Sequence, residues 1–164
     1  MVTKRPARYR DTRQAHYTTS QEIVAYMSAR LCATSSDVVW EPCGGQGDLV
    51  AGVLARSPQT KILVNEVDEQ ALAGLRSRFS RCPNVSVQHE DVLDAATKPL
   101  LQARHTYSAV IANPPYGAWQ TPQQRAALKA AYSSTYVRET YAVFLMLALE
   151  RLGADGRLVF IIPD

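Results

Sequence analysis

Short apolar runs, each halted by an acid, a glycine turn or a proline, alternate along this chain with stretches of helical periodicity. Val38-Val39-Trp40 stops at Glu41-Pro42, and the run from Lys61 closes on Glu66. Val85-Ser86-Val87, polar enough for an outer strand, leads to Glu90-Asp91. Tyr107 to Ala112 ends abruptly at Asn113-Pro114-Pro115, and a last run, Arg157 to Ile162, follows the turn-forming Gly153-Ala154-Asp155-Gly156. Helices are predicted between these strands. One is capped by Ser20 and places Ile23, Val24, Met27 and Leu31 at helical spacing. A second runs from about Asp48 to Arg56, and a third from Asp68 to Arg78 with Ala71, Leu72 and Leu75 on one face. The stretch from Tyr141 to Leu152 is apolar almost all round, which predicts a buried helix. A Pro- and Gln-punctuated stretch, to which no element is assigned, precedes it.

Strands alternating with helices imply right-handed crossovers, hence an α/β fold with a mostly parallel sheet covered by helices on both faces. Ligands bind such sheets at the carboxyl ends of the strands, near the point where strand order reverses. Every unusual motif in this chain falls just after a strand, so all of them point to one site. With 164 residues, 46% hydrophobic and 20% charged, and no repeat or low-complexity tract, the chain is expected to build a single core.

Glu41-Pro42-Cys43-Gly44-Gly45-Gln46-Gly47-Asp48 follows the first strand. Taken alone, its glycines fit an ordinary strand-to-helix turn as well as a ligand loop. The dinucleotide pattern G-x-G-x-x-G is incomplete, because Val50 stands where its third glycine would follow Gly45 and Gly47. A nucleoside without a pyrophosphate fits better. Glu66 closes the second strand about 20 residues further on, where an acid can accept the ribose hydroxyls. Asp91 follows the third strand, placed to accept from an adenine amino group, with Val67 and Val92 on either side of the ring. Each acid alone reads as a solvated loop residue. At successive strand ends they favour a nucleoside site.

Asn113-Pro114-Pro115-Tyr116 is the most informative stretch. Two prolines stiffen the backbone just past a buried strand and hold the Asn side chain in place. The exocyclic amine of a purine is a poor nucleophile because its lone pair is delocalised into the ring. Hydrogen bonds from that amine to the Asn113 side-chain oxygen and the Pro114 carbonyl localise the lone pair and aim it at a methyl donor. Tyr116 is placed to stack on the base. Such a transfer is in-line and needs no metal or covalent intermediate, so positioning supplies most of the rate. The bland alternative is an Asn-Pro turn carrying a surface Tyr, and the upstream glycine loop and acids count against it.

These residues together resemble the S-adenosylmethionine-dependent amino-methyltransferases, above all the adenine-specific DNA methyltransferases of restriction systems. The acid-Pro-x-x-Gly-x-Gly pattern matches Glu41, Pro42, Gly45 and Gly47, with Cys43 inside it. Glu66 and Asp91 match the acids after the second and third strands, and Asn113 to Tyr116 match the catalytic motif. His16-Tyr17-Thr18-Thr19 resembles the segment in which Tyr17 and Thr18 touch the methionine part of the cofactor, although Thr19 stands where proline is usual. The resemblance implies a Rossmann-like methyltransferase fold, S-adenosylmethionine as cofactor, and adenine in DNA as target. Methyltransferases of RNA bases and of protein glutamine share the Asn-Pro-Pro-Tyr motif and are the rival reading. A third is a cofactor-binding or inactive portion that needs a partner chain.

The resemblance divides the chain into a basic arm with a cofactor-contacting segment, residues 1–19, and a partial catalytic domain, residues 20–164. The family fold continues beyond a fifth strand into further strands and a target-recognition region, supplied by downstream sequence or by a second polypeptide. Net charge is +3, too mild to demand a polyanionic partner, but Lys4, Arg5, Arg8, Arg10 and Arg13 face only Asp11 in the first thirteen residues. That arm suits either phosphate contact or a solvated terminus. Cys32, Cys43 and Cys82 show no CxxC spacing and point to a reducing cytoplasm. The longest apolar run, Ala142 to Leu149, is far below the roughly 20 residues a membrane span requires. His16, His89 and His105 lack metal spacing, Trp40 reads as core, and Trp119 as either a pocket edge or a loop anchor.

Overall fold

The computed structural model describes residues 19–97, 106–116, 121–131 and 139–162. The basic arm, Tyr17, Thr18, His16, His105 and Trp119 lie outside them. The elements follow in the order α1 (Gln21–Leu31), β1 (Val38–Glu41), α2 (Asp48–Arg56), β2 (Lys61–Glu66), α3 (Glu69–Arg78), β3 (Val85–His89), α4 (Val92–Thr97), β4 (Tyr107–Ala112), α5 (Pro122–Ala131), α6 (Thr140–Arg151) and β5 (Leu152–Phe160). The strands form one sheet in the order β3-β2-β1-β4-β5. Each neighbouring pair is parallel, with Glu41 beside Val64, Glu66 beside His89 and Ala112 beside Phe160. Strand order reverses between β1 and β4, so the loops after these two strands open side by side.

Alternation along the strands sends neighbouring residues to opposite faces. Val39, Ile62, Val64, Ala109 and Ile111 pack with Val24 and Met27 of α1, Val50 and Val53 of α2, and Leu75 of α3. Trp40 and Val110 pack on the other face with Val92, Leu128, Val143, Phe144 and Leu147 from α4, α5 and α6. Both faces are thus covered, as a parallel sheet requires. Among the described residues no helix is long and apolar enough to cross a membrane.

Local chemistry accounts for most element boundaries. Ser20 accepts from the Ile23 amide and starts α1; Asp68 accepts from the Ala71 amide and starts α3. Two expected faces are narrower in the structure. Ile23 is 44% exposed, leaving Val24, Met27, Ser28 and Leu31 as the buried side of α1. Helix α6 buries only the side of Val143, Phe144, Leu147 and Ala148, while Leu149 is 51% exposed, so its apolar composition does not mean burial all round.

Two further helices stand where no element was predicted. The short α4 begins where the Asp91 carboxylate accepts from the Leu93 amide at 2.9 Å. Helix α5 opens with a reciprocal box in which the Gln124 amide donates to Thr121 Oγ1 at 3.1 Å and the Thr121 amide donates to Gln124 Oε1 at 3.0 Å. Pro122 sits at the first helical position, where its missing N–H costs nothing. The predicted turn at 153–156 is absorbed into β5. Tyr107 pairs with Leu152 and Ala109 with Arg157, so the extra residues bulge out of the ladder.

Candidate functional site

The turn after β1 is built by backbone contacts. The Gly44 amide donates to the Asn65 carbonyl at 2.9 Å, and the Gly47 amide to the Gly44 carbonyl at 2.8 Å. Gly45 and Gly47 have φ of +53° and +80°, a region that disfavours side chains. A Cβ on Gly47 would lie 2.6 Å from the Phe79 ring, whereas a Cβ on Gly45 would meet nothing within 4 Å. The first glycine closes the turn against α3, and the second leaves open space above the loop. Arg78 Nη1 holds the far side, bonded to the Gln46 carbonyl and to Asp48 Oδ1.

Glu66 ties this turn to the end of β2. Its Oε2 accepts from the Gly45 amide at 2.7 Å, and its Oε1 accepts from the Val67 and Asp68 amides at 2.8 Å each. A carboxylate offers about four acceptor positions, so one remains on Oε2 for a ligand hydroxyl. This knot of amides is a role that the sequence reading did not foresee for Glu66.

Glu41, at the carboxyl end of β1, is 2% exposed, and its Oε2 has no hydrogen-bond partner among the described residues. Burial first, then the neighbouring Glu66 and Asp48, push its carboxyl well above the usual carboxylate range. Pro42 beside it is buried. The Cys43 thiol is also pushed up, by burial and then by Glu41 and Glu66. It is a packed thiol rather than a nucleophile.

Of the pair expected to flank a ring, Val67 is 42% exposed and open to a ligand, whereas Val92 is 2% exposed and packed in the second-face core. Asp91 lies beyond the end of β3, one oxygen committed to the start of α4. A buried chain links these strand ends: Trp40 Nε1 donates to Asn65 Oδ1 at 2.6 Å, and Asn65 Nδ2 donates to Glu90 Oε2 at 2.8 Å. Trp40 is core as expected, stacked on Tyr107 at 5.2 Å. Asn65 had no sequence signal beyond its position in an apolar strand.

The loop after β4 meets the glycine turn directly, since the Cys43 thiol donates to the Asn113 carbonyl at 3.6 Å. Pro114 is buried, and Asn113 and Tyr116 are half-buried. The Asn113 side chain is held at both ends. Its Nδ2 donates to Thr19 Oγ1 at 3.1 Å, and its Oδ1 lies 3.1 Å from the Tyr116 hydroxyl. That hydroxyl is also 2.9 Å from the Ile161 carbonyl beyond β5, and the Tyr116 ring is tilted against Tyr141 at 6.1 Å. The sequence-predicted residues that are described here thus gather at the ends of β1, β2, β3 and β4. Among the described residues no group of His, Cys, Asp and Glu side chains is placed to hold a metal ion.

Residues 48–164 match the family described as Eco57I restriction-modification methylase. The Type II methyltransferase M.AccI of Acinetobacter calcoaceticus is 24% identical over 148 residues, which cover 86% of this chain and 26% of that protein. Among solved structures, a protein assigned as a modification subunit of a type I restriction enzyme from Vibrio vulnificus YJ016 superposes with a TM-score of 0.71 at 14% identity, over 89% of this chain and 34% of its own. TrmN from Thermus thermophilus gives 0.62 at 20% identity, over 97% and 43%. This chain therefore spans about a quarter of the sequence relative and about a third of the first structure. The structural likenesses establish a Rossmann-like α/β methyltransferase fold.

Proposed function

The chain belongs to the Eco57I restriction-modification methylase family, and on that premise we propose that it forms the cofactor-binding and catalytic-loop part of an adenine-specific DNA methyltransferase that uses S-adenosylmethionine. The observation that carries the reading is the meeting of the glycine turn and the Asn113 loop at the reversal of strand order, through Cys43 and the Asn113 carbonyl.

The residues present fit this cofactor. Space above Gly45 admits a ligand, the spare acceptor on Glu66 Oε2 suits a ribose hydroxyl, and the exposed Val67 can cover one face of an adenine ring. Asp91 retains a second carboxylate oxygen for the adenine amine. The unpartnered Oε2 of Glu41 suits the ammonium of the methionine part, whose charge would offset the repulsion from Glu66 and Asp48. Tyr17 and Thr18 are assigned to the same end of the cofactor. When bound, S-adenosylmethionine supplies an electrophilic methyl group on its sulfonium.

The chain's own residues then orient the acceptor. Asn113 Oδ1 and the Pro114 carbonyl accept the two hydrogens of the target amine and hold its lone pair in line with the methyl group. Tyr116 stacks on the base and keeps its plane. An adenine inside a duplex is out of reach of such a loop, so the base enters rotated out of the helix. Target recognition belongs to a further region or a second polypeptide, and the basic arm is a candidate phosphate contact.

Labelled S-adenosylmethionine offered separately with DNA, RNA and protein acceptors tests the proposal. Label in N6-methyladenine of DNA, lost in Asn113→Ala while cofactor binding persists, is the expected result. Label in RNA or in a glutamine amide would replace the target, and equal loss of transfer and cofactor binding in Asn113→Ala would overturn the division of roles.

A further inference from the structure

Asn65 follows Ile62, Leu63 and Val64 in β2 and is 2% exposed, where a polar side chain is destabilising unless its hydrogen bonds are made. Its amide meets partners of fixed polarity. Trp40 Nε1 carries a hydrogen and no acceptor, so at 2.6 Å it must donate, and this places Asn65 Oδ1 toward the indole. Nδ2 is thereby turned to Glu90 Oε2 at 2.8 Å, which accepts. A reversed amide would set N–H against the Trp40 N–H, so the sense of this amide is settled by its surroundings. The register pairs Trp40 with Leu63 and Asn65 with Gln88, which puts Trp40, Asn65 and Glu90 on one face of the sheet. The bonds cross from β1 through β2 to the residue just past β3.

That residue precedes Asp91. The Glu90 amide donates to the Glu66 carbonyl at 3.2 Å, which carries the β2–β3 pairing one residue further. On the other side of Asp91, Val92 is 2% exposed and packs in the same core as Trp40. Asp91 is thus held between two anchors that both lead back to Trp40, with Oδ1 engaged by the Leu93 amide. A hydrogen bond weakens steeply as its angle departs from linear, so a ligand amine senses small shifts of the remaining oxygen. We infer that Asn65 is a positioning residue for cofactor recognition: by tying Glu90 to Trp40 it sets the Asp91 carboxylate against the 6-amino group of the adenine ring. This rests on the adenine contact given to Asp91 above.

Calorimetry with S-adenosylhomocysteine, and with its analogue bearing hydrogen in place of the 6-amino group, tests the inference. The parent protein should prefer the adenine ligand roughly 10- to 100-fold, the range of a hydrogen bond to a charged group. Asn65→Asp keeps an acceptor for Trp40 but sets a second carboxylate against Glu90, and the preference should narrow about 3- to 10-fold, the effect of one net hydrogen bond. Glu90→Leu breaks the same bond from a half-buried position and should narrow it equally. In both variants affinity for the analogue without the amine should stay within about twofold, as for an independent site. A general loss of structure would weaken both ligands. The double variant Asn65→Asp, Glu90→Gln exchanges donor and acceptor along the same line and should recover the parent's preference. An undiminished preference in either single variant, equal loss of affinity for the two ligands, or a double variant no more selective than Asn65→Asp would each overturn the inference and leave the cofactor reading in place. A parent protein that binds both ligands alike, or neither, would instead remove the adenine contact on which the inference rests, and the inference with it.

Discussion

Glu41 and Glu66 end neighbouring strands, yet their environments oppose each other. Glu66 is surrounded by donated amides, whereas Glu41 is buried with one oxygen unpartnered and its carboxyl pushed up. The sign follows from linkage. Below the unfolded value, the ordinary 4.5 of a glutamate, Glu41 is protonated in both states and has no influence on stability. As pH rises above it, the unfolded chain releases a proton that the folded chain retains, so stability falls until the raised folded value is passed. Glu41→Gln should therefore be more stable than the parent at pH 7 to 8 and equal to it near pH 4, while binding S-adenosylmethionine more weakly. Urea unfolding across that range checks this, and a difference independent of pH would show a carboxylate already ionised in the fold. Glu66→Gln has the opposite expectation. An amide there turns N–H toward N–H, so loss of about 1–3 kcal/mol is expected from the orphaned donors, together with loss of the turn that Gly45 forms. Loss of binding in a Glu66 variant thus reports the turn as well as a ligand contact, and circular dichroism with urea unfolding separates the two. Tyr116 divides along its own structure: Tyr116→Phe keeps the ring and should keep base engagement. Tyr116→Ala should weaken it by about 1–3 kcal/mol, as stacking elsewhere suggests, and equal kinetics for the two would argue against stacking.

At the scale of elements, β5, the last strand of the sheet among the described residues, is fastened by charge. Arg157 donates to Asp37 and to the Cys32 carbonyl, and Asp37 also accepts from the Thr34 amide and hydroxyl. Burial works to raise the Asp37 carboxyl, but Arg157, Thr34 and Ser108 outweigh it and hold the group well below its ordinary range. This stabilisation is present above the unfolded value, the ordinary 3.8 of an aspartate, and is lost as pH falls toward the depressed folded value. Asp37→Asn should lower stability by about 1–3 kcal/mol at pH 7 and by progressively less in acid, which chemical unfolding at pH 7 and pH 3 would show; an equal loss at both would detach the effect from ionisation. Most elements were legible because cap, periodicity and stop agreed, as at Ser20 to Leu31 and at Lys61 to Glu66. Helix α5 was missed although Thr121-Pro122-Gln123-Gln124 spells a capping box, because Pro122 reads as a breaker unless it is placed at the first helical position. Helix α4 is too short for periodicity to register. The Asp37–Arg157 pair spans 120 residues, and no local pattern announces such a contact.

At the scale of the whole molecule, the candidate site lies where a parallel sheet favours one, above the reversal between β1 and β4, and that much follows from the order of strands. Glu41, Glu66, Asp91, Asn113 and Tyr116 were legible as candidates because each closes or follows a strand; the contacts of Thr19 and Asn65 were not, since their partners arrive only through the fold. A site assembled from the ends of separate strands has a thermodynamic consequence. Unfolding disperses Gly45, Glu66 and Asn113, so a ligand that bridges them binds the folded state alone. At 100 times its dissociation constant, such a ligand stabilises by about 2.7 kcal/mol, which for a chain of this size raises Tm by roughly 5–10 °C. S-adenosylmethionine should produce that shift. Dinucleotides should not, because the turn lacks the third glycine that close approach of a pyrophosphate requires. A thermal scan with each ligand is decisive in both directions. A shift with S-adenosylmethionine alone, reduced in Glu41→Gln, would establish the nucleoside-and-ammonium character of the site. A folded chain shifted equally by dinucleotides would make the glycine turn a general phosphate cradle, and would separate the cofactor proposed here from the fold that carries it.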